Sequence, residues 1–308
     1  MKKMGKKGLI GLGIFVLLTG GLVNKVLGEF KQVPLKEEEL DINEAITTEK
    51  PDIKNIALFG VDTTDVENGK ADAIMILTLN STENSIKLTS LLRDTQVDIE
   101  KQGKDELNKA YEIGGPACAI KTINQNFDLN LDDFISVDIK AVPAIIDILG
   151  GVEIDVKDYE IDEMNGYISK INMMTGKNSP FILKAGLQQL DGNQAAAYSG
   201  IRMVEGGEYK SPERHRVVLT ALFKKFRDID ISKIPAIFDK VAPMIKTSLD
   251  KGEMVKLAIE GVKSKGGVQQ ERFPQDNNSE GHGTGEEYYV TYDVEKTKSD
   301  LHKWIFTK

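Results

Sequence analysis

Apolar side chains gather into short dense runs between Asn55 and Ile139. NIALFG, AIMILTLN, SIKLTSLL and FISVDI are rich in β-branched and aromatic residues and are bounded by turn formers. Runs of that length and composition predict strands. In GPACAIKTINQNF, AVPAIIDILGG, GNQAAAYSGI and SPERHRVVLTALFKKF the apolar residues recur instead at three- and four-residue spacing, which predicts helices. Pro143 near the start of one of these helices and Gly150-Gly151 after it follow the usual start and stop asymmetry. Late in the chain QERFP and YYVTYD read as strands separated by the polar loop DNNSEGHGTGEE, and Val294 to Phe306 reads as a closing helix. Strands alternating with helices predict an α/β layered sheet covered by helices.

The opening segment follows another rule. Lys2, Lys3, Lys6 and Lys7 precede an uncharged run from Gly8 to Val23, extended to Gly28 if Asn24 and Lys25 lie at the far interface. Such a run is long enough to span a bilayer, and the lysines set its short end inside the cell. The domain order expected is a cytoplasmic tail (residues 1–7), a transmembrane signal-anchor (8–28), an acidic spacer (29–51) carrying KEEEL and NEAITTEKPD, and one extracellular domain (52–308). A cleaved signal peptide, with Val26-Leu27-Gly28 as a weak processing site, is the competing reading, and the run is long for a signal core.

Composition narrows the partners. The formal net charge of −8 over 308 residues argues against a chain that grips nucleic-acid phosphates. One cysteine, Cys118, cannot form an internal disulfide and reads as a small apolar group in a helix. His215, His282 and His302 lie far apart without zinc spacing, and no nucleophile-elbow or P-loop string occurs.

Chemistry concentrates at the strand ends. Asp62 stands just past the end of NIALFG, and Asp72 just before AIMILTLN begins. If these strands are antiparallel neighbours the two carboxylates meet, and a carboxylate pair with room for water and phosphate oxygens suits Mg²⁺. Loop aspartates that cap turns are the competing explanation. Arg93 and Asp94 sit where the SIKLTSLL strand gives out, and Lys70, Arg202, Arg214 and Arg216 add cationic heads near other element ends. Arginine is fitted to bidentate phosphate contact, so a metal with arginines forms a site for a pyrophosphate. For Arg214 and Arg216 a solvated helix face competes.

NIALFGVDTTD, KADAIMILTLN, TSLLRDTQVDI, LNKAYEIGG, VDIKAVPAIIDILGGVEIDV, LKAGLQQLDGNQAAAY and ERHRVVLTALFKKF, in that order, resemble the LytR-CpsA-Psr family. The resemblance covers Asp52 to Phe226 closely, and the closing YYVTYDVEKTKSDLHKWIF is similar to the tail of such domains. It implies an α/β fold with a mixed central sheet covered by helices on both faces, behind one N-terminal membrane helix. It also implies a phosphotransferase outside the cell. A wall sugar hydroxyl attacks the polymer-proximal phosphorus of an undecaprenyl pyrophosphate-linked glycopolymer, teichoic acid or capsule, and the polymer passes to peptidoglycan. By the resemblance Asp62 and Asp72 hold Mg²⁺ (or Mn²⁺), Arg93, Arg202 and Arg214 act on the pyrophosphate with Lys70 and Arg216 nearby, and Asp94 orients a neighbour or takes the attacking proton.

The sequence also departs from that pattern. SGIR has Gly200 where the family commonly has the first of two arginines, and keeps Arg202. Glu208 replaces an aspartate, Ser211 an arginine, His215 a glutamine and Lys70 an arginine, while Glu106 stands where lysine is common. Three cationic positions are thereby lost, each contact to a desolvated phosphate being worth about 1.5–3 kcal/mol; Lys109 and Lys210 lie close by in sequence. Gly200 is open to two readings, an eroded arginine clamp or a left-handed helix cap. A polyprenyl-pyrophosphate-binding paralogue without catalysis and a transcriptional attenuator remain the alternative functions, the second opposed by the outward topology.

Overall fold

The computed structural model describes residues 31–63, 69–201, 211–227, 233–254, 256–257, 268–283 and 288–307. The expected membrane helix lies outside them, and no helix among the described residues is long and apolar enough to cross a membrane.

In chain order the elements are β1 (Lys31–Gln32), α1 (Glu44–Glu49), β2 (Ile53–Asp62), β3 (Lys70–Asn80), β4 (Ser85–Leu91), β5 (Gln96–Ile99), β6 (Gly103–Glu106) and α2 (Leu107–Phe127). There follow β7 (Asp133–Asp138), α3 (Val142–Ile148), β8 (Val152–Val156), α4 (Ile161–Thr175), β9 (Gly186–Leu190), α5 (Gly192–Ser199) and α6 (Ser211–Arg227). The chain continues through α7 (Ile234–Val241), β10 (Ile245–Thr247), β11 (Val268–Phe273), β12 (Ser279–His282), β13 (Tyr289–Tyr292) and α8 (Val294–Phe306).

Seven strands form a mixed sheet in the order β1-β10-β7-β2-β3-β4-β11. β2, β3 and β4 pair antiparallel, whereas β7 runs parallel to β2 and β11 parallel to β4. Alternation sorts their side chains onto two faces. Ala57, Phe59, Val61, Ala71, Ile74 and Ile76 pack with Ile120, Ile123 and Phe127 of α2 and Leu301 and Ile305 of α8. Ile56, Leu77, Leu79, Ile86 and Leu88 pack on the opposite side with Leu219 of α6 and Phe238 of α7. Helices therefore cover both faces, as the resemblance implies. α8 is further pinned where the buried Lys87 donates to the Trp304 carbonyl at 2.7 Å, burial lowering the pKa of its ammonium.

A second lobe extends beyond the end of β7. α3, the β8–β9 hairpin, α4, α5 and α6 enclose Ile146, Val152, Ile154, Met164, Ile168, Leu190 and Val218. Gly192 lies where any Cβ would meet the Pro143 carbonyl at 1.8 Å, so a glycine is required for α5 to pack on α3.

The stretch expected to be a free spacer is instead part of the fold. Lys31 and Gln32 pair with Lys246 and Thr247, Val33 donates to the Thr247 carbonyl at 2.9 Å, and Leu40 is fully buried in the α2 core. Asn43 caps α1 with its side chain and donates to Asp128 at 2.8 Å. The domain thus reaches back at least to Lys31, and the part of the acidic stretch from that residue onward is not a linker.

Candidate active site

β2 and β3 lose register between Gly60 and Val61: Gly60 faces Ala73, but Val61 faces Ala71. Asp72 is the extra residue of this bulge, and bulges re-aim side chains at functional edges. Ala71 and Ile74 both belong to the α2 core, so Asp72 and Ala73 together turn to the α6 face. Asp62 is the last residue of β2, in phase with Ile56 and Leu58 on that same face. Both aspartates lie within strands rather than in the connecting loop. Gly69 (φ +76) closes the connection; any Cβ there would meet the Asp62 carbonyl at 2.5 Å.

Arg93 follows the end of β4. Its position is set by Leu92 donating to the Phe273 carbonyl at 2.9 Å and by Asn108 donating to the Arg93 carbonyl at 3.0 Å, so β11 and the start of α2 both fix its backbone. Its Nη1 donates to Asp72 Oδ1 at 2.6 Å, and its Nε lies 3.2 Å from Asp94 Oδ1. The guanidinium is held between two carboxylates, and about a quarter of its side chain stays open to solvent. Asp72, Arg93 and Asp94 line one pocket with Ala73, Met75, Ser90 and His215. The structure therefore brings together Asp72, Arg93 and Asp94, three charges 22 residues apart in sequence at most.

Lys70 stands opposite Asp62 in the ladder, its ammonium 3.9 Å from Glu112. Glu106 and Lys109 pair at 3.6 Å, and Lys109 also binds Asp105 at 2.7 Å, so Lys109 is already engaged by carboxylates and does not offset the acidic Glu106. Arg202, Glu208 and Lys210 lie outside the described residues, as do the side chains of Ser211 and Arg216 on α6.

Arg214 is placed away from Arg93. Its guanidinium is 4 % exposed inside the second lobe, where Nε donates to Glu160 at 3.1 Å and Nη1 to the Ile201 carbonyl at 3.3 Å. Its charge is consumed by Glu160, and it does not line the pocket. It instead fixes the carbonyl that precedes Arg202. Successive residues of a helix point about 100° apart, so it is His215, the next residue, that faces the pocket. Tyr198 lies near this pair: burial first, and then the Glu160 charge, push its phenol up to about 12, with Arg214 opposing the rise.

No group of three His, Cys, Asp or Glu among the described residues encloses a metal. Two carboxylates at one sheet edge still fit Mg²⁺, which holds to one or two carboxylates and completes its shell with water and phosphate oxygens. Asp72 and Asp62 are the residues that would hold it.

The chain matches the model of the LytR_cpsA_psr family over residues 25–303. It is 30 % identical over 225 residues to a polyisoprenyl-teichoic acid–peptidoglycan teichoic acid transferase TagU of Enterococcus faecalis, covering 71 % of this chain and 69 % of that protein. The Bacillus cereus protein of the same name is 28 % identical over 251 residues, 80 % of this chain and 77 % of that one. Among solved structures, TagT bound to LIIa-WTA superposes with a TM-score of 0.66 at 22 % identity, covering 82 % of this chain and 90 % of that one. A LytR-CPS2A-psr family protein, TagT with bound octaprenyl pyrophosphate lipid, gives 0.61 at 22 % identity over the same shares of the two chains. With the family model spanning nearly its whole length and the mixed sheet in place, this chain belongs to the LytR_cpsA_psr family.

Proposed function

We propose that the protein transfers a teichoic-acid-type glycopolymer from a polyprenyl diphosphate carrier to peptidoglycan, working outside the cell from a single N-terminal membrane anchor. The observation that carries this reading is Arg93 held between Asp72 and Asp94 in a pocket at the edge of the sheet. The names of the transferase relatives supply the polymer class.

In the proposed reaction an oxygen of a wall hydroxyl forms a bond to the phosphorus that bears the polymer. The bridging P–O bond breaks, polyprenyl phosphate leaves with the electron pair, and the hydroxyl's proton passes to water. Phosphoryl transfer asks a protein mainly for positioning and for neutralisation of charge on the equatorial oxygens. Arg93 supplies fixed N–H donors whose aim is set by Asp94 on one side and by the β4–β11 ladder behind. Asp94, engaged with Nε, acts as the positioning group. Lys70 adds a cation opposite Asp62, Arg202 is assigned to the diphosphate by the family resemblance, and Arg214 acts through the Ile201 carbonyl rather than on the ligand. A bound Mg²⁺ (or Mn²⁺) at Asp62 and Asp72 would neutralise diphosphate oxygens.

Mass spectrometry of lipid co-purified with the full-length chain tests the ligand class. A polyprenyl phosphate or diphosphate in wild type, depleted in Arg93→Ala, is the expected result; a lipid unrelated to polyprenols would overturn the reading. Protease added to intact protoplasts tests the anchor: digestion of the domain is expected, and full protection refutes the outward topology.

A further inference from the structure

Six of the eight large apolar side chains exposed among the described residues fall within residues 159–187: Tyr159, Met173, Met174, Phe181, Leu183 and Leu187, each 53–90 % exposed. The fold holds them out on purpose-built geometry. Asn172 exchanges two hydrogen bonds with the Ser179 backbone at 2.9 and 3.0 Å, and Asn165 two with the Ile182 backbone at 2.9 and 2.8 Å. These side chains staple the returning segment along α4 with Ile182 buried, so its neighbours Phe181 and Leu183 turn outward. Single exposed apolar residues are ordinary, but a cluster of this size marks a contact surface.

Charge and chain path identify the occupant. From Met164 to Leu190 the sequence holds three lysines and no Asp, Glu or Arg, in a chain of net charge −8; the acidic groups of this face gather at its Tyr159 end, where Asp158, Asp162 and Glu163 lie, while Asp155 opposite Leu187 is paired with Lys157 and Glu160 with Arg214. Lys170 and Lys184 are exposed beside the apolar residues, while Lys177 pairs with Asp147. Apolar side chains with flanking lysines suit the headgroup layer of an anionic membrane. β1 is parallel to β10, which runs antiparallel to β7, so Lys31, the first described residue, stands toward the end where β7 gives way to the second lobe. Asp62 and Arg93 sit at that same end. Seven residues separate Val23 from Lys31, a tether of at most about 25 Å when fully extended.

We propose that the α4–β9 face of the second lobe rests in the headgroup layer of the anionic bilayer and holds the active-site edge toward the membrane. The proposal rests on the anchored topology given above. It requires the carrier's diphosphate to be met at the lipid surface rather than far above it.

The test uses the full-length chain with Cys118→Ser, carrying Leu183→Cys or Met173→Cys labelled with an environment-sensitive fluorophore, in vesicles of phosphatidylcholine and phosphatidylglycerol. Thr82→Cys, in the β3–β4 turn at the far end of the sheet, is the control. Lipids with a spin label on the acyl chain should quench both lobe positions at least about twofold more than the control, and more with phosphatidylglycerol than without it. Quenching no greater than at Thr82 overturns the proposal, and equal quenching in pure phosphatidylcholine overturns its anionic part. Carbonate extraction and polymer transfer measured on the same vesicles report separately on anchor and site. An integral, active protein with an unquenched lobe rejects this contact and leaves the proposed function standing.

Discussion

Replacing Gly200 with arginine separates the two readings of that position. The backbone removes one premise: Gly200 caps α5 with φ −83 and ψ −7, ordinary right-handed values. An ideal Cβ there meets Ala196 O at 3.5 Å, Ala197 O at 3.6 Å and Tyr167 Cδ1 at 3.7 Å, which are normal contacts. The position is no left-handed cap, and a side chain fits without strain. Gly200→Arg therefore loses nothing in the fold and restricts the unfolded chain, a gain of about 0.4–1 kcal/mol. A cation at the helix C-terminus adds about 0.3–1 kcal/mol. In a domain of this size about 1 kcal/mol corresponds to about 2–4 °C in Tm. At the ligand, a second guanidinium two residues before Arg202 should tighten polyprenyl diphosphate binding by up to about 10-fold, or about 1.4 kcal/mol. Calorimetric melting and lipid diphosphate titration on the same variant measure both effects. A lower Tm with unchanged affinity would refute the clamp and the packing argument together.

Asp62→Ala and Asp72→Ala should each abolish Mg²⁺-dependent transfer with Tm within a few degrees of wild type, because both sit at a partly open sheet edge; retained activity with either variant, or in strong chelator, removes the metal from the account. Glu160→Ala strands a buried Arg214 and should destabilise the lobe by about 3–5 kcal/mol in urea unfolding, whereas Glu160→Leu with Arg214→Met should recover much of it; equal losses would show that the pair is not the cause. Burial pushes the Tyr198 and Tyr292 phenols up to about 12, so the folded state favours their neutral forms. Their contribution to stability is intact below pH 10 and is lost as pH rises towards about 12, which a falling urea midpoint with delayed phenolate absorbance would register.

Much of the fold was legible because it is written in local period. The strand runs of β2, β3 and β4 and the helical spacing of α2, α3, α5 and α6 appear where the pattern puts them, and α8 spans Val294–Phe306 as read. What escaped depends on partners far along the chain. β1 is two residues long and its pairing strand lies more than 210 residues later, so a polar acidic stretch gave no local sign that it is anchored to the sheet. β12 hides in Ser-Glu-Gly-His, poor strand formers held by pairing with β13. The site followed the same division. Arg93 and Asp94 at a strand end were readable, as was the meeting of β2 and β3. The bulge that turns Asp72 was not, since register belongs to the pair rather than to either strand. Nor could spacing tell that Arg214 is claimed by Glu160, 54 residues away, leaving His215 to face the pocket.

In the proposed reaction Arg93, aimed by Asp94 and facing Asp72, neutralises the diphosphate during transfer. The direct measurement is the rate at which full-length protein in vesicles moves polymer from a polyprenyl diphosphate carrier onto peptidoglycan, for wild type and Arg93→Ala side by side. Loss of one preorganised donor to developing charge should slow transfer by at least about 100-fold with the melting temperature preserved. Transfer by Arg93→Ala at the wild-type rate would contradict the account.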